Sequence, residues 1–172
     1  MFLTLSEVET RIVELAQKIG AGQGICPTYG YSEQTGCPHI EINVQGYHYV
    51  VAERGQESER HSTLDLDELL YWVFADMAFS MATSYELKNR IEDQDCRRII
   101  FQGQLELLEM LSPQWAARQI QEQEKILKKY PFDDFSSVRA SLCRELREQG
   151  NSAEEAWKMA CEQYPLPAGS SW

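Results

Sequence analysis

Cysteine and histidine residues that could bind a metal ion lie in the first third of the chain. Cys26, Cys37 and His39 follow one another, with His48 and His61 further on. Structural zinc sites usually place paired cysteines two to four residues apart, whereas ten residues lie between Cys26 and Cys37. The spacing therefore disfavours a zinc site. We predict a reduced, metal-free protein with no cofactor.

Motifs for other kinds of catalysis are also missing from the sequence. Residues 20–24 are rich in glycine, but the segment follows a predicted helix and lacks the Lys-Ser/Thr ending of a phosphate-binding loop. Neither Gly-x-Ser-x-Gly nor His-Glu-x-x-His occurs. We therefore predict that the protein is not an enzyme. A small enzyme or metal-binding protein that uses the loop of residues 26–39 is the alternative.

A tryptophan surrounded by acidic residues is the pattern that best indicates a binding surface. On a helical wheel, Asp65, Glu68, Trp72, Asp76 and Thr83 fall on one narrow strip. A large aromatic residue at the centre of a polar ring is typical of a binding hot spot. The alternative is that a C-terminal helix covers Trp72, because large aromatic side chains are usually buried.

The strip belongs to a long apolar segment that we predict to be the central helix, at about residues 65–90. Asp65 can cap it, and Glu68 adds a further acid in the first turn. Its main apolar face consists of Leu66, Leu69, Leu70, Val73, Met77, Met81 and Tyr85. A second set widens that face: Tyr71, Phe74, Ala75, Ala78, Phe79 and Ala82. A helix that is apolar over most of its circumference must be wrapped by other elements.

Before this helix the sequence predicts one helix and a small β-hairpin. Residues 6–19 form an amphipathic helix that Ser6 and Glu9 begin as a capping box. Residues 39–44 and 47–53 alternate apolar and polar side chains around a turn, which is typical of a hairpin. Part of the preceding loop could add a third strand. Residues 54–63 are predicted to be a polar connection.

After the central helix the sequence predicts four more helices, at residues 95–111, 113–130, 134–149 and 152–164. The second of them buries Ala116, Ile120, Leu127 and Tyr130 in this prediction. Ser152 with Glu155 makes another capping box before the last helix.

The fold class is therefore α+β and predominantly α-helical, a helical bundle with a small N-terminal hairpin. We predict a single domain over residues 1–164. Its first part, 1–54, holds the helix, loop and hairpin, and its second part, 64–164, is the bundle. A flexible tail follows at 165–172.

The charge of the chain limits its partners. The formal net charge is −11, and the first 111 residues carry 18 acids against 8 lysines and arginines, a net of −10. This disfavours direct binding to nucleic acid or to an anionic membrane and permits a basic protein partner. The N-terminus lacks the basic region of a signal peptide, so we expect a cytoplasmic protein.

Several segments resemble a bacterial family catalogued as immunity protein 63. They are Tyr49-Val-Val-Ala-Glu-Arg-Gly, Arg60-His-Ser-Thr-Leu-Asp-Leu-Asp-Glu-Leu-Leu-Tyr-Trp-Val-Phe, Tyr85-Glu-Leu-Lys-Asn-Arg, Asp95-Cys-Arg-Arg-Ile-Ile-Phe, Gln104-Leu-Glu-Leu-Leu, Trp115-Ala-Ala-Arg and Pro131-Phe-Asp-Asp. The resemblance implies an immunity protein of a polymorphic or contact-dependent toxin system, which neutralises the toxin encoded beside it. It implies no catalytic residue.

Joined to the charge pattern, the resemblance suggests which residues contact the toxin. We expect the partner to be a basic C-terminal toxin domain, a nuclease being one candidate, bound by a monomer in a 1:1 complex. The candidate toxin-binding residues are Glu53, Glu57, Glu59, Asp65, Asp67, Glu68, Trp72 and Asp76. An adaptor that recognises a helix is a further alternative.

Overall fold

The computed structural model describes residues 2–168, which form an α+β fold that is 57% helical. In chain order the elements are α1 (Leu5–Lys18), a 3-10 turn (Gln23–Ile25), β1 (Thr28–Tyr29), β2 (Thr35–Asn43), β3 (Gly46–Glu53), β4 (Gln56–Thr63), α2 (Leu66–Lys88), α3 (Arg97–Leu111), α4 (Pro113–Lys129), α5 (Ser136–Glu148) and α6 (Ala153–Gln163). The predicted α+β class is confirmed. Over the described part of the chain, none of the helices has the length and apolar character needed to cross a bilayer.

Packing divides the chain into two compact units. One consists of Met1–Met81 and Gly103–Ala117, and the other of Ala82–Gln102 and Arg118–Trp172. Three helices, α2, α3 and α4, contribute residues to both units. The single domain expected over residues 1–164 stays a prediction. The predicted tail, 165–172, extends past the last described residue.

The first unit contains a four-stranded sheet in the order β1-β2-β3-β4. β1 pairs with β2 in parallel, and the other two pairs are antiparallel. Asn43 pairs with Gly46 across the first turn. A Cβ atom at Gly46 would lie 2.3 Å from the Thr63 carbonyl oxygen, and the φ of Gly46 is +126°. Only glycine fits where β4 passes this close.

The predicted polar connection at 54–63 is wrong, because most of it is strand β4. The turn before it consists of Arg54 and Gly55, whose φ angles are +51° and +78°. Positive φ at both central residues is the geometry of a type I′ hairpin turn, which suits the twist of antiparallel strands. Gln56 to Ser62 are all polar and all exposed. β4 therefore lacks the alternation of apolar and polar residues by which strands are recognised in a sequence.

One hydrophobic core fills the first unit. α1 begins one residue earlier than predicted, because the capping box is made by Thr4 and Glu7 and not by Ser6 and Glu9. The Glu7 backbone N–H donates to Thr4 Oγ1 at 3.3 Å, and the Thr4 backbone N–H donates to the Glu7 carboxylate at 2.7 Å. The buried residues of the core are Val8, Ile12, Leu15, Ala16, Ile19, Ile40, Tyr47, Tyr49, Leu69, Leu70, Tyr71, Val73, Phe74, Met77, Ala78, Leu108, Trp115 and Ala116.

Two aromatic residues of α2 are more exposed than predicted. Phe79 is 41% and Tyr85 61% exposed. In the last turns of α2, which belong to the second unit, the buried positions are Ala82 and Glu86. Glu86 tolerates burial because Arg90 donates to both of its carboxylate oxygens, at 2.9 and 3.1 Å. Near the end of α2, the face that is buried therefore differs from the face that carries the most apolar side chains.

The buried face of α4 also differs from the predicted one. Ile120 and Tyr130 are exposed, at 44% and 57%, so their predicted burial is wrong. Within the second unit, Gln119 and Gln123 are buried instead. Gln123 Nε2 donates to the Phe101 carbonyl at 3.2 Å, which satisfies a polar group inside the unit.

The α5–α6 pair closes the second unit as a helical hairpin with Gly150 at the turn, where φ is +99°. The predicted Ser152–Glu155 capping box is confirmed. The largest fully buried side chain here is that of Arg139, which is 2% exposed. It donates to both carboxylate oxygens of Asp133, at 2.7 and 2.9 Å, and to the carbonyls of Tyr164 and Pro165.

Candidate partner-binding surface

The candidate surface lies in the first unit, where His61 of the edge strand β4 contacts Trp72 in the first half of α2. Tyr47 and Tyr49 of β3 face the core that α2 also lines. Tyr49 pairs with His61, and Val51 pairs with Glu59. Because directly opposite residues point to the same face of a sheet, His61 and Glu59 lie on the side that faces α2.

Trp72 of α2 contacts this edge of the sheet. Its ring centroid is 5.1 Å from that of His61, and the two rings are tilted by 37°. The His61 ring is in turn 6.4 Å from the ring of Tyr49. Trp72 is half-buried and packs with its inner part against the core. Its side chain is therefore only partly covered.

Two acidic side chains bind the aromatic rings next to Trp72, and the charge of one affects the pKa of the other. Glu59 is hydrogen-bonded to His61 Nε2, and Asp76 is hydrogen-bonded to the Tyr49 hydroxyl. Desolvation raises the pKa of Asp76, the Tyr49 hydrogen bond opposes that rise, and the charge of Glu59 adds to it. The ionised form of Asp76 is therefore disfavoured by its surroundings, although the residue is still exposed enough for solvent to screen much of this effect.

These five residues, Glu59, His61, Glu68, Trp72 and Asp76, are called the β4–α2 surface. Glu68 lies one helical turn before Trp72 and Asp76 one turn after it. The surface therefore combines three carboxylates, an imidazole and the exposed part of an indole ring. Such a combination can bind a cation through charge and through the face of the indole ring.

Glu57, another candidate, lies on the opposite face of the sheet. A bulge leaves Ser58 unpaired, so Glu57 pairs with Ala52 and points away from α2. Arg60 bridges two strands there, binding Glu57 at 2.8 Å and Glu41 at 2.9 Å. The hydrogen bonds from Arg60 hold the pKa of Glu57 and of Glu41 below their usual values. Glu57 is thus already paired within the protein.

The three remaining candidates have local partners of their own. Asp65 caps α2 by accepting the Asp67 backbone N–H at 3.0 Å, as predicted. The Asp67 carboxylate accepts the indole N–H of Trp115 at 3.2 Å, although Asp67 itself is exposed. Glu53, at the end of β3, forms an ion pair with Arg54 at 3.4 Å. These acids add negative charge around the β4–α2 surface.

The comparison with protein families bears on the same stretch of the chain. Residues 43–125 match the family model of immunity protein 63. This match supports assignment of the chain to the immunity-protein family. It covers β3, β4, α2, α3 and most of α4, and therefore every residue of the β4–α2 surface. No curated protein and no solved structure matches the chain.

One component of the surface, His61, and one residue beneath it, Tyr49, are not among the candidates that the sequence offers for toxin binding. The sequence indicates His61 only as a possible metal ligand and Tyr49 only as part of the hairpin. The signal for both is the Arg54-Gly55 turn, because a two-residue hairpin fixes the register that brings His61 opposite Tyr49.

The alternative site at residues 26–39 has a different arrangement. Cys26 is part-buried, and its burial raises the pKa of its thiol, while Cys37 is exposed. His39 lies on β2, with Nε2 3.0 Å from Glu41 Oε1. Within residues 2–168 no three His, Cys, Asp or Glu side chains are grouped so as to hold a metal ion. The five cysteines are all unpaired.

Proposed function

We propose that this protein is a non-enzymatic immunity protein that neutralises a cognate toxin domain by binding it through the β4–α2 surface. The observation that carries the proposal is the immunity protein 63 match, whose residues 43–125 include the whole surface. The chain acts as a cytoplasmic monomer and forms a 1:1 complex. Glu53, Asp65 and Asp67 lie around the centre of contact, whereas Glu57 lies on the opposite face of the sheet.

The charge of the surface supports a basic toxin domain as the partner. Glu59, Glu68 and Asp76 lie close together in a chain whose net charge is −11. Complementary charge speeds the encounter of two proteins and orients them, so the acids act mainly on the association rate. A nuclease toxin fits this description, because a domain that binds nucleic acid is itself basic.

Trp72 supplies the affinity that exposed charges cannot. Neutralisation at low concentration requires a Kd of about 1 nM, which corresponds to about −12 kcal/mol. Exposed ion pairs contribute roughly 0–1 kcal/mol each, so a few of them fall well short. A partly exposed tryptophan that becomes fully buried on binding, and that can stack on an arginine or lysine of the toxin, is the expected anchor.

Co-expression with the toxin domain encoded by the adjacent gene tests this proposal. Cells that produce both proteins are expected to survive, and the two proteins are expected to co-purify in equal amounts. Trp72→Ala should weaken protection. Tyr31→Ala is a matched control, because Tyr31 is 61% exposed but lies away from the surface, and it should protect like the wild type. Cell death despite abundant folded protein, with no complex recovered, would contradict the proposal.

A further inference from the structure

The outer edge of β4 is a free strand edge. β4 is the last strand of the sheet, and no further strand pairs with it anywhere in residues 2–168. All residues from Gln56 to Ser62 are exposed, although His61 contacts Trp72 on the α2 side. The backbone N–H and C=O groups on the outer side of such a strand can pair with an incoming extended segment.

One half of β4 is regular enough to serve as a template. Residues 59–63 pair with residues 47–51 of β3 in unbroken register. The bulge at Ser58 affects only the other half. Five regular residues span about 17 Å, which is the usual length of a strand in a sheet.

β4 has only part of the usual protection of an edge strand, namely the bulge at Ser58 and the charge of Glu59 on the α2 side. Proteins commonly guard their edges with lysine, proline, inward-pointing charges or bulges. β4 contains neither lysine nor proline, and its one arginine, Arg60, is bound by Glu57 and Glu41 on the face away from α2. On the side that faces α2, the regular half of β4 carries Glu59 and His61. Trp72 and Asp76 of α2 lie next to them.

We propose that an extended basic segment of the toxin adds to β4 as a fifth strand. This inference rests on the proposed function and specifies how the partner binds. Successive side chains of the added strand alternate between the two faces, so basic residues at every second position would meet Glu59, Asp76 and the indole face of Trp72. Backbone hydrogen bonds to residues 59–63 supply affinity, and the basic residues supply specificity.

A second copy of this chain fits the same edge less well. Each copy carries a net charge of −11, and Arg60, the cation of β4, is already shared between two carboxylates. Two β4 edges would therefore bring acidic surfaces together without free cations to compensate, and like charges placed opposite each other are destabilising. Charge complementarity favours the basic toxin segment.

Amide hydrogen exchange tests the inference. It is measured by NMR on the ¹⁵N-labelled protein, with and without the unlabelled toxin domain encoded by the adjacent gene. Within residues 59–63, the amides that point away from β3 should exchange quickly in the free protein. They should slow by about tenfold or more in the complex. The alternate amides, already paired with β3, should change little. Val44, which is 95% exposed in the β2–β3 turn, is the internal control and should keep its rate.

Three other outcomes overturn the inference, and they differ in what they say of the proposed function. If a complex forms but the outer amides of residues 59–63 exchange as in the free protein, strand addition is wrong while toxin binding stands. If these amides become protected in the toxin-free protein as its concentration rises, the edge binds a second copy. If no complex forms at all, the proposed function fails and the inference fails with it.

Discussion

Trp72 and Phe74 lie two residues apart on α2 in different surroundings, so replacing each by alanine separates toxin binding from stability. Phe74 is 0% exposed and stacks on Trp115, with ring centroids 5.8 Å apart. Trp72 is half-buried and contacts the exposed His61. We predict that Phe74→Ala mainly lowers the free energy of unfolding and that Trp72→Ala mainly weakens binding.

The expected magnitudes follow from these surroundings. Truncating a fully buried phenylalanine typically costs about 3–5 kcal/mol of stability. Part of the Trp72 ring is already in water and the site can relax towards solvent, so its truncation should cost about 1–2 kcal/mol. A tryptophan hot spot contributes about 2 kcal/mol or more to binding. Its loss in Trp72→Ala should therefore raise the Kd about thirtyfold or more.

Urea unfolding gives the two stabilities, and titration calorimetry with the toxin domain gives the two Kd values. Phe74→Ala should bind with nearly the wild-type Kd under conditions in which it stays folded. The reasoning is refuted if Trp72→Ala loses as much stability as Phe74→Ala while its Kd for the toxin is unchanged. Trp72 would then be an ordinary core residue.

Three further variants test the electrostatic part of the account. Glu59→Lys should slow toxin association several-fold and weaken its salt dependence. Glu92→Lys is the control, because it makes an equal charge change at an exposed site far along the chain, and it should leave association unchanged. Equal slowing by both variants in stopped-flow mixing would rule out a local effect. Asp76→Asn should match or exceed wild-type stability at pH 7. The pKa of Asp76 is raised in the folded state, so its ionisation destabilises the fold as the pH rises above about 4. A free energy of unfolding that is higher in the wild type, by a margin that grows with pH, would contradict this sign. Arg139→Met should cost about 3–5 kcal/mol, because it leaves Asp133 without its ion-pair partner, and adding Asp133→Asn should recover part of that loss in urea unfolding.

The sequence predicts the helices well and the sheet only in part. Local signals define the helix starts, as at Ser152, where a side chain and a backbone N–H three residues apart satisfy each other. β4 has no such signal in its side chains, because both of its faces are exposed and polar. Only the Arg54-Gly55 turn indicates it, and Arg-Gly is a weaker hairpin signal than Asn-Gly.

Burial was mispredicted where hydrogen bonding outweighed hydropathy. An apolar pattern favours Ile120 over Gln123 for the interior, yet Gln123 is buried because the Phe101 carbonyl accepts its amide N–H. Arg139 gave no sign of burial, since its partners Asp133 and Pro165 are fixed only in the folded chain. Such pairings depend on contacts between residues far apart in sequence.

The candidate surface was half predictable for a similar reason. The acidic strip around Trp72 follows from the periodicity of one helix, so Glu68 and Asp76 could be placed from the sequence. The position of His61 against Trp72 depends on the register of β4 on β3 and on how α2 packs against the sheet. No local pattern encodes these two arrangements.

A direct inhibition titration tests the central claim. The purified toxin domain encoded by the adjacent gene is held at a concentration well above 1 nM, and its toxic activity is measured as purified immunity protein is added. We predict a linear fall in activity that reaches zero at one molecule of immunity protein per toxin domain, since binding is tight and stoichiometric. Undiminished activity at a tenfold excess of folded protein would contradict the account.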